Sequence, residues 1–252
     1  MATSPPPGPR RTALVTGGGG GVGRAVAARL VEDGWEVGLL GRDAARLDAA
    51  VAELGAHAHA IPGDVTKRDD VQAATAELAA RGAAPRLLVH AAGLARSSAV
   101  LPPDDALWDA TMGVNATGAW ISATACLPAM LAEGDGDLVF IASTAALRGY
   151  RYTAAYVASK HAVLGLARAL AADVGPKGVR VHVICPGFLD TPMTDQTVAR
   201  IVATSRLDAA AARASLAAMN RSGRLIRPEE VAELVLTRLR EGTDDPEPVV
   251  LE

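Results

Sequence analysis

Tyr156 and Lys160 stand four residues apart in Thr153–Val174, a stretch whose apolar spacing predicts a helix ended by Gly175-Pro176. At that spacing the two side chains share one face, about one turn apart. A free phenol titrates near pH ~10. A neighbouring ammonium favours the phenolate and draws the group toward neutrality, where general acid–base catalysis is efficient. Ser143 closes an apolar run, Leu138–Ser143, that reads as a buried strand, and a hydroxyl there can orient a bound oxygen. Asn115 falls within a long helical stretch upstream. Singly, each has an ordinary explanation: a surface tyrosine, a solvated lysine, a turn serine, an incidental asparagine. Jointly, in this order and on these elements, coincidence is improbable.

A second constellation concerns a ligand. Five glycines, Gly17–Gly21, follow the apolar run Thr12–Thr16, and Val22-Gly23 open a helical pattern that runs to Asp33. Glycine permits positive φ and close backbone approach. A helix N-terminus offers unpaired N–H groups and the positive end of a dipole to a pyrophosphate.

The elements that must hold these residues alternate along the chain. Strands are expected at 12–16, 36–40, 58–62, 86–91, 138–143 and 179–185, with an edge strand at 249–251. Helices are expected at 22–33, 44–54 (capped by Asp43), 67–81, 104–132, 153–174, 192–220 and 228–240, with a kink or break at Pro128. Such alternation implies a Rossmann-like α/β fold: a doubly wound parallel sheet with helices on both faces, its ligands at the carboxyl ends of the strands. No linker or repeat interrupts it. Residues 12–252 read as a single domain and 1–11 as a disordered leader.

Taken together, the Thr-Gly-x-x-x-Gly-x-Gly loop and the Asn–Ser–Tyr–Lys series resemble the short-chain dehydrogenase/reductase family from Thr12 to about Arg240. The resemblance implies an NAD(P)-binding enzyme that moves a hydride between nicotinamide and a ketone/secondary alcohol pair. Tyr156 would be the general acid/base and Ser143 would orient the substrate oxygen. Lys160 would also hold the nicotinamide ribose, and Asn115 a water that relays protons. By the same resemblance Gly17, Gly20, Gly21, Val22 and Gly23 cradle the cofactor, Asp64 and Val65 lie at the adenine, and Ala92 and Gly93 let backbone approach. Pro186, Gly187, Leu189 and Thr191 would cover the nicotinamide. His90-Ala91 stands where the family usually has Asn-Asn; a strand histidine is more often structural than catalytic.

Family enzymes that use NAD carry an acid at the end of the second strand, where it binds the ribose and repels a 2′-phosphate. Here Gly41 occupies that place and Arg42 follows, a side chain suited to grip a phosphate. NADP(H) is therefore expected over NAD(H). Cys185-Pro186-Gly187-Phe188 and Thr191-Pro192-Met193 resemble ketoreductases acting on acyl or polyketide thioesters. The alternatives are an NAD-dependent secondary alcohol dehydrogenase and a catalytically silent nucleotide-binding regulator. The complete Asn–Ser–Tyr–Lys series argues against the silent regulator. Pairing through the two long helices, with Ala167, Ala171 and Ala172 allowing close approach, would give a homodimer or homotetramer.

Composition closes off other classes. A net charge of −3 leaves no basic footprint for nucleic acid. No apolar run approaches the roughly 20 residues that span a bilayer, and no secretory signal opens the chain, so a cytoplasmic location is expected. Cys126 and Cys185 lack metal-ligand spacing and read as reduced, buried thiols, so no metal is expected. Arg148, Arg151, Arg200, Arg206 and Arg213, in or near the expected substrate loops, could meet an anionic substrate, although solvated surface arginine is the commoner case.

Overall fold

The computed structural model describes residues 11–243 and 246–252. Strand β1 (Thr12–Thr16) is buried at every position because strands flank it on both sides and helices cover both faces. Its neighbours are β2 (Glu36–Gly41) and β4 (Leu87–His90). β3 (Ala58–Pro62) lies beyond β2; β5 (Gly136–Ile141), β6 (Val179–Pro186) and β7 (Val249–Leu251) extend the other side. The order is β3-β2-β1-β4-β5-β6-β7, with every pair parallel. The chain leaves β1 toward β2 and later returns to β4 on the opposite side. The gap between the ends of β1 and β4 is therefore the switch point at which such sheets bind ligands.

Strand residues alternate between two cores, as the pleat requires. Leu14, Leu40, Leu88, Leu138 and Phe140 face one side, under α3 (Arg68–Ala80), α5 (Gly118–Glu133) and α6 (Ala154–Val174). Ala13, Val15, Val37, Leu39 and Val89 face the other, under α1 (Gly21–Glu32), α2 (Ala44–Leu54) and α9 (Pro228–Glu241). α4 (Asp105–Met112) packs on α6, and α8 (Ala209–Ala217) on α7 (Pro192–Thr204).

Three expectations change in detail. Helix 104–132 is interrupted not at Pro128 but at Gly113–Thr117, which forms a π-turn between α4 and α5. α5 runs through Pro128, because burying Ile121, Ala123, Cys126, Leu127 and Met130 outweighs one lost backbone hydrogen bond. Stretch 192–220 is two helices, the second capped by Asp208, whose carboxylate accepts from Ala211 N at 2.8 Å. Ala167 is wholly buried in its own protomer's core and cannot form part of an assembly face; Ala172 is exposed.

The expected leader lies outside the described residues except for Arg11, whose guanidinium donates to the Asp33 carbonyl at 2.7 Å. Among the described residues no helix is long and apolar enough to cross a membrane, and no group of three or more His, Cys, Asp or Glu is arranged to hold a metal. Both cysteines are free and buried.

Candidate active site

A cleft of about 550 Å³ opens at the switch point and is lined by residues from both constellations. Along one wall, the glycine loop leads into α1. Gly17 and Gly21 have φ of 69° and 52°, conformations that favour glycine. A Cβ on Gly20 would meet nothing within 4 Å, so this peptide faces open space, as close approach to a phosphate requires. Gly23 differs: its Cβ would lie 2.4 Å from the Gly17 carbonyl oxygen. It does not line the cleft and works by letting α1 pack on the loop. Val22 does line it.

At the end of β2, Gly41, Arg42 and Arg46 line the cleft. Arg42 and Arg46 are exposed, and their side chains form no hydrogen bond or salt bridge among the described residues. Asp43 is engaged as the cap of α2, accepting from Arg46 N at 3.1 Å. Beyond β3, burial acts to raise the Asp64 pKa, but hydrogen bonds from Thr66 and the charge of Arg42 leave it lowered. Its carboxylate is thus folded back into the turn. Val65 is buried against Gly118, although part of it reaches the cleft.

The end of β4 is tied to β1 through Thr16. The Thr16 hydroxyl accepts from Ala92 N and lies 3.1 Å from His90 Nδ1. Gly93 lines the cleft beside Ala92. His90 is 1% exposed, and burial together with the nearby Lys160 charge lowers its pKa to about 3. It is a neutral structural imidazole.

Tyr156, Lys160 and Ser143 meet at the inner end. Tyr156 and Ser143 both line the cleft here, close enough for the serine hydroxyl to act on the phenol. Burial pushes the phenol above its ordinary pKa, against the lowering effect of Ser143. Burial thus outweighs the lowering that the sequence leads one to expect from Lys160. Lys160 Nζ donates to the Ile141 carbonyl at 2.8 Å and lies 5.8 Å from the Tyr156 ring centre; burial brings its own pKa down to about 8. Asn115 sits in the π-turn, completely buried and outside the cleft lining. Its Oδ1 accepts from Leu94 N at 2.7 Å, and its Nδ2 donates to Leu94 O and to Ser159 Oγ.

Pro186, Gly187, Leu189 and Thr191 line the far wall. Asn220 fastens that wall: its Oδ1 accepts from Phe188 N at 2.8 Å, and its Nδ2 donates to Phe188 O and Arg224 O. Thr16, Ser159 and Asn220 are positioning residues that sequence reasoning missed. Two of the candidate anion-binding arginines are otherwise engaged: Arg213 with Asp190 and Asp195, Arg148 with Glu252 and the Tyr150 hydroxyl.

These residues fit a dinucleotide. The open glycine peptides suit a pyrophosphate, and the cleft runs on from Arg42 to Tyr156.

Residues 11–201 match the family described as short chain dehydrogenase. The chain is 35% identical over 226 residues to 2-(S)-hydroxypropyl-CoM dehydrogenase 3 of Xanthobacter autotrophicus, covering 88% of this chain and 86% of that protein. It is 40% identical over 186 residues to a galactitol 2-dehydrogenase (L-tagatose-forming) of Cereibacter sphaeroides, covering 72% of each. A point variant of actinorhodin polyketide ketoreductase, solved with NADPH, superposes with a TM-score of 0.92 at 30% identity, covering 96% of this chain and 95% of that one. This chain belongs to the short-chain dehydrogenase family and is an oxidoreductase that interconverts a carbonyl and an alcohol with a nicotinamide dinucleotide.

Proposed function

We propose that the chain is an NADPH-preferring ketoreductase acting on an acyl or polyketide-like ketone. The observation that carries this reading is that Tyr156, Ser143 and Lys160 line the same cleft as the glycine loop and Arg42. Bound NADPH supplies the hydride. Ser143 Oγ holds the substrate oxygen, and Tyr156 Oη gives it a proton as the carbonyl carbon is reduced. A phenol whose pKa is raised by burial keeps that proton at neutral pH, the state a reductase needs. The Lys160 ammonium stabilises the phenolate left behind and offers donors to the nicotinamide ribose. Asn115 acts from behind, holding the 94-loop and, through Ser159, the first turn of α6.

Cofactor choice rests on Arg42. With no carboxylate at Gly41 and Asp43 turned to its cap, the acid that would repel a 2′-phosphate is missing from the end of β2, while the Arg42 guanidinium attracts one. The similarity to an NADPH-bound ketoreductase supports the same reading. The test is kcat/KM for NADPH and NADH with one ketone, in the parent and in Arg42→Ala. A preference for NADPH that falls at least tenfold in the variant is expected. A parent that prefers NADH, or an unchanged preference in the variant, overturns it. The same proposal includes a homodimer or homotetramer joined through α4–α5 and α6, on which Trp120 is 46% exposed.

A further inference from the structure

Glu252 follows β7 and joins two sides of the catalytic cleft. Its side chain is 9% exposed, low for a carboxylate, and two guanidinium groups meet it: Arg148 Nη2 at 2.8 Å from Oε2 and Arg221 Nε at 3.1 Å from Oε1. The preceding carbonyl, of Leu251, accepts from Gly187 N at 2.7 Å, and a Cβ added to Gly187 would lie 3.2 Å from the Glu252 Cβ. Glu252 is thus packed on the 186–191 wall. Arg148 belongs to the other side, the loop that follows Ser143. Its Nε donates to the Tyr150 hydroxyl at 2.8 Å, and that hydroxyl lies 2.7 Å from Thr144 Oγ1. The Tyr150 carbonyl accepts from Thr153 Oγ1 at 3.0 Å, where α6 begins. The Tyr150 ring meets Phe188 edge-on, with centroids 5.8 Å apart. A closed circuit results: Gly187, Glu252, Arg148, Tyr150 and back to Phe188. Thr144 and Thr153 tie it to Ser143 and to the helix that carries Tyr156.

We propose that Glu252 is a positioning residue for hydride transfer: by clamping Arg148 it fixes the 144–150 loop, and with it Ser143 and Tyr156, against the 186–191 wall. The reaction needs the substrate oxygen at Ser143 and Tyr156 while its carbon faces the nicotinamide under that wall. A displacement of about 1 Å between the two sides costs on the order of 10²-fold in rate. A sheltered carboxylate is screened less than an exposed one, so its pair with Arg148 holds a defined geometry where a surface ion pair would not. Glu252, Arg148 and Tyr150 all lie outside the cleft lining, so none of them touches the reacting atoms. The inference rests on the ketoreductase reading for the parts played by Ser143 and Tyr156.

The test keeps the two apart. Amide hydrogen exchange over 144–152 and 187–190, NADPH affinity by fluorescence titration and kcat for ethyl acetoacetate with NADPH are measured in the parent, Glu252→Gln, Arg148→Met and the double variant. Glutamine keeps the size of the side chain and removes its charge. In each single variant, exchange in both segments should speed at least tenfold and kcat should fall at least tenfold, with the Kd for NADPH within threefold of the parent. The double variant should lose no more than either single one, because both break the same link. Unchanged exchange or unchanged kcat in Glu252→Gln overturns the proposal. Losses that multiply in the double variant also overturn it, since Glu252 and Arg148 would then act separately. So does a loss of NADPH affinity as large as the loss in kcat, which is general damage to the wall. A parent that binds NADPH without reducing ethyl acetoacetate tells against the ketoreductase reading; the exchange rates and their non-additivity then decide the clamp alone. Should Glu252→Gln not fold, Tyr150→Phe cuts the same circuit at its hydroxyl while leaving the ring on Phe188, with the same outcomes.

Discussion

At the scale of single residues, the site separates groups that touch the reaction from groups that hold them. Tyr156→Phe removes only the hydroxyl. It should fold, bind NADPH with little change and lose about 10²–10⁴ in kcat; near-parental turnover would remove Tyr156 from its role. His90 makes the opposite kind of prediction, about stability. Its pKa is about 3 in the folded protein, against an ordinary value of 6.5 for an imidazole in the unfolded chain. Between those values the unfolded chain binds a proton that the folded chain refuses. Stability is therefore lost as pH falls from 6.5 toward 3, by about 3 kcal/mol from this residue at pH 4.5. Urea unfolding at pH 7 and pH 4.5 should show a shallower decline in His90→Asn, and an identical decline would discount the buried imidazole. That Tyr156, Lys160, Ser143 and Arg42 share one cleft was legible in their types and spacing. Thr16, Ser159 and Asn220 were not, because their partners are 76, 44 and 32 residues away and only the fold brings them together.

Among the elements, the glycine loop is where space decides. A Cβ on Gly23 would sit 2.4 Å from the Gly17 carbonyl oxygen, whereas one on Gly20 meets nothing. Gly23→Ala should therefore lower the unfolding free energy by about 1–3 kcal/mol, the usual cost of overpacking. Gly20→Ala should shift it by less than about 0.5 kcal/mol yet weaken NADPH binding severalfold, since the added methyl points into the cleft. Thermal melts with and without NADPH distinguish the two; the reverse pattern would reassign both glycines. The strand positions were readable from apolar runs and turn residues. The π-turn at Gly113–Thr117 was not, because no local pattern marks it. It is held by Asn115, which bonds Leu94 and Ser159 on other elements. Pro128 misled for the complementary reason: its local cost is real, but the buried face of α5 outweighs it.

For the whole molecule, the exposed Trp120 on α5 bears on assembly. Light scattering at micromolar concentration should give a dimer or tetramer mass, and Trp120→Glu should lower it; a monomeric parent would sink the assembly proposal. The sheet order also governs how the chain reaches its structure. β1 needs β4 as a neighbour, with residues 13 and 87 in register, so β1 stays an open edge until more than 70 further residues have been made. A nascent β1–β2–β3 unit presents unpaired N–H and C=O groups along a strand that the finished fold buries at every position. Parallel pairing over such separations is slow, so folding yield, rather than final stability, is where this architecture is most exposed to temperature and rate of synthesis.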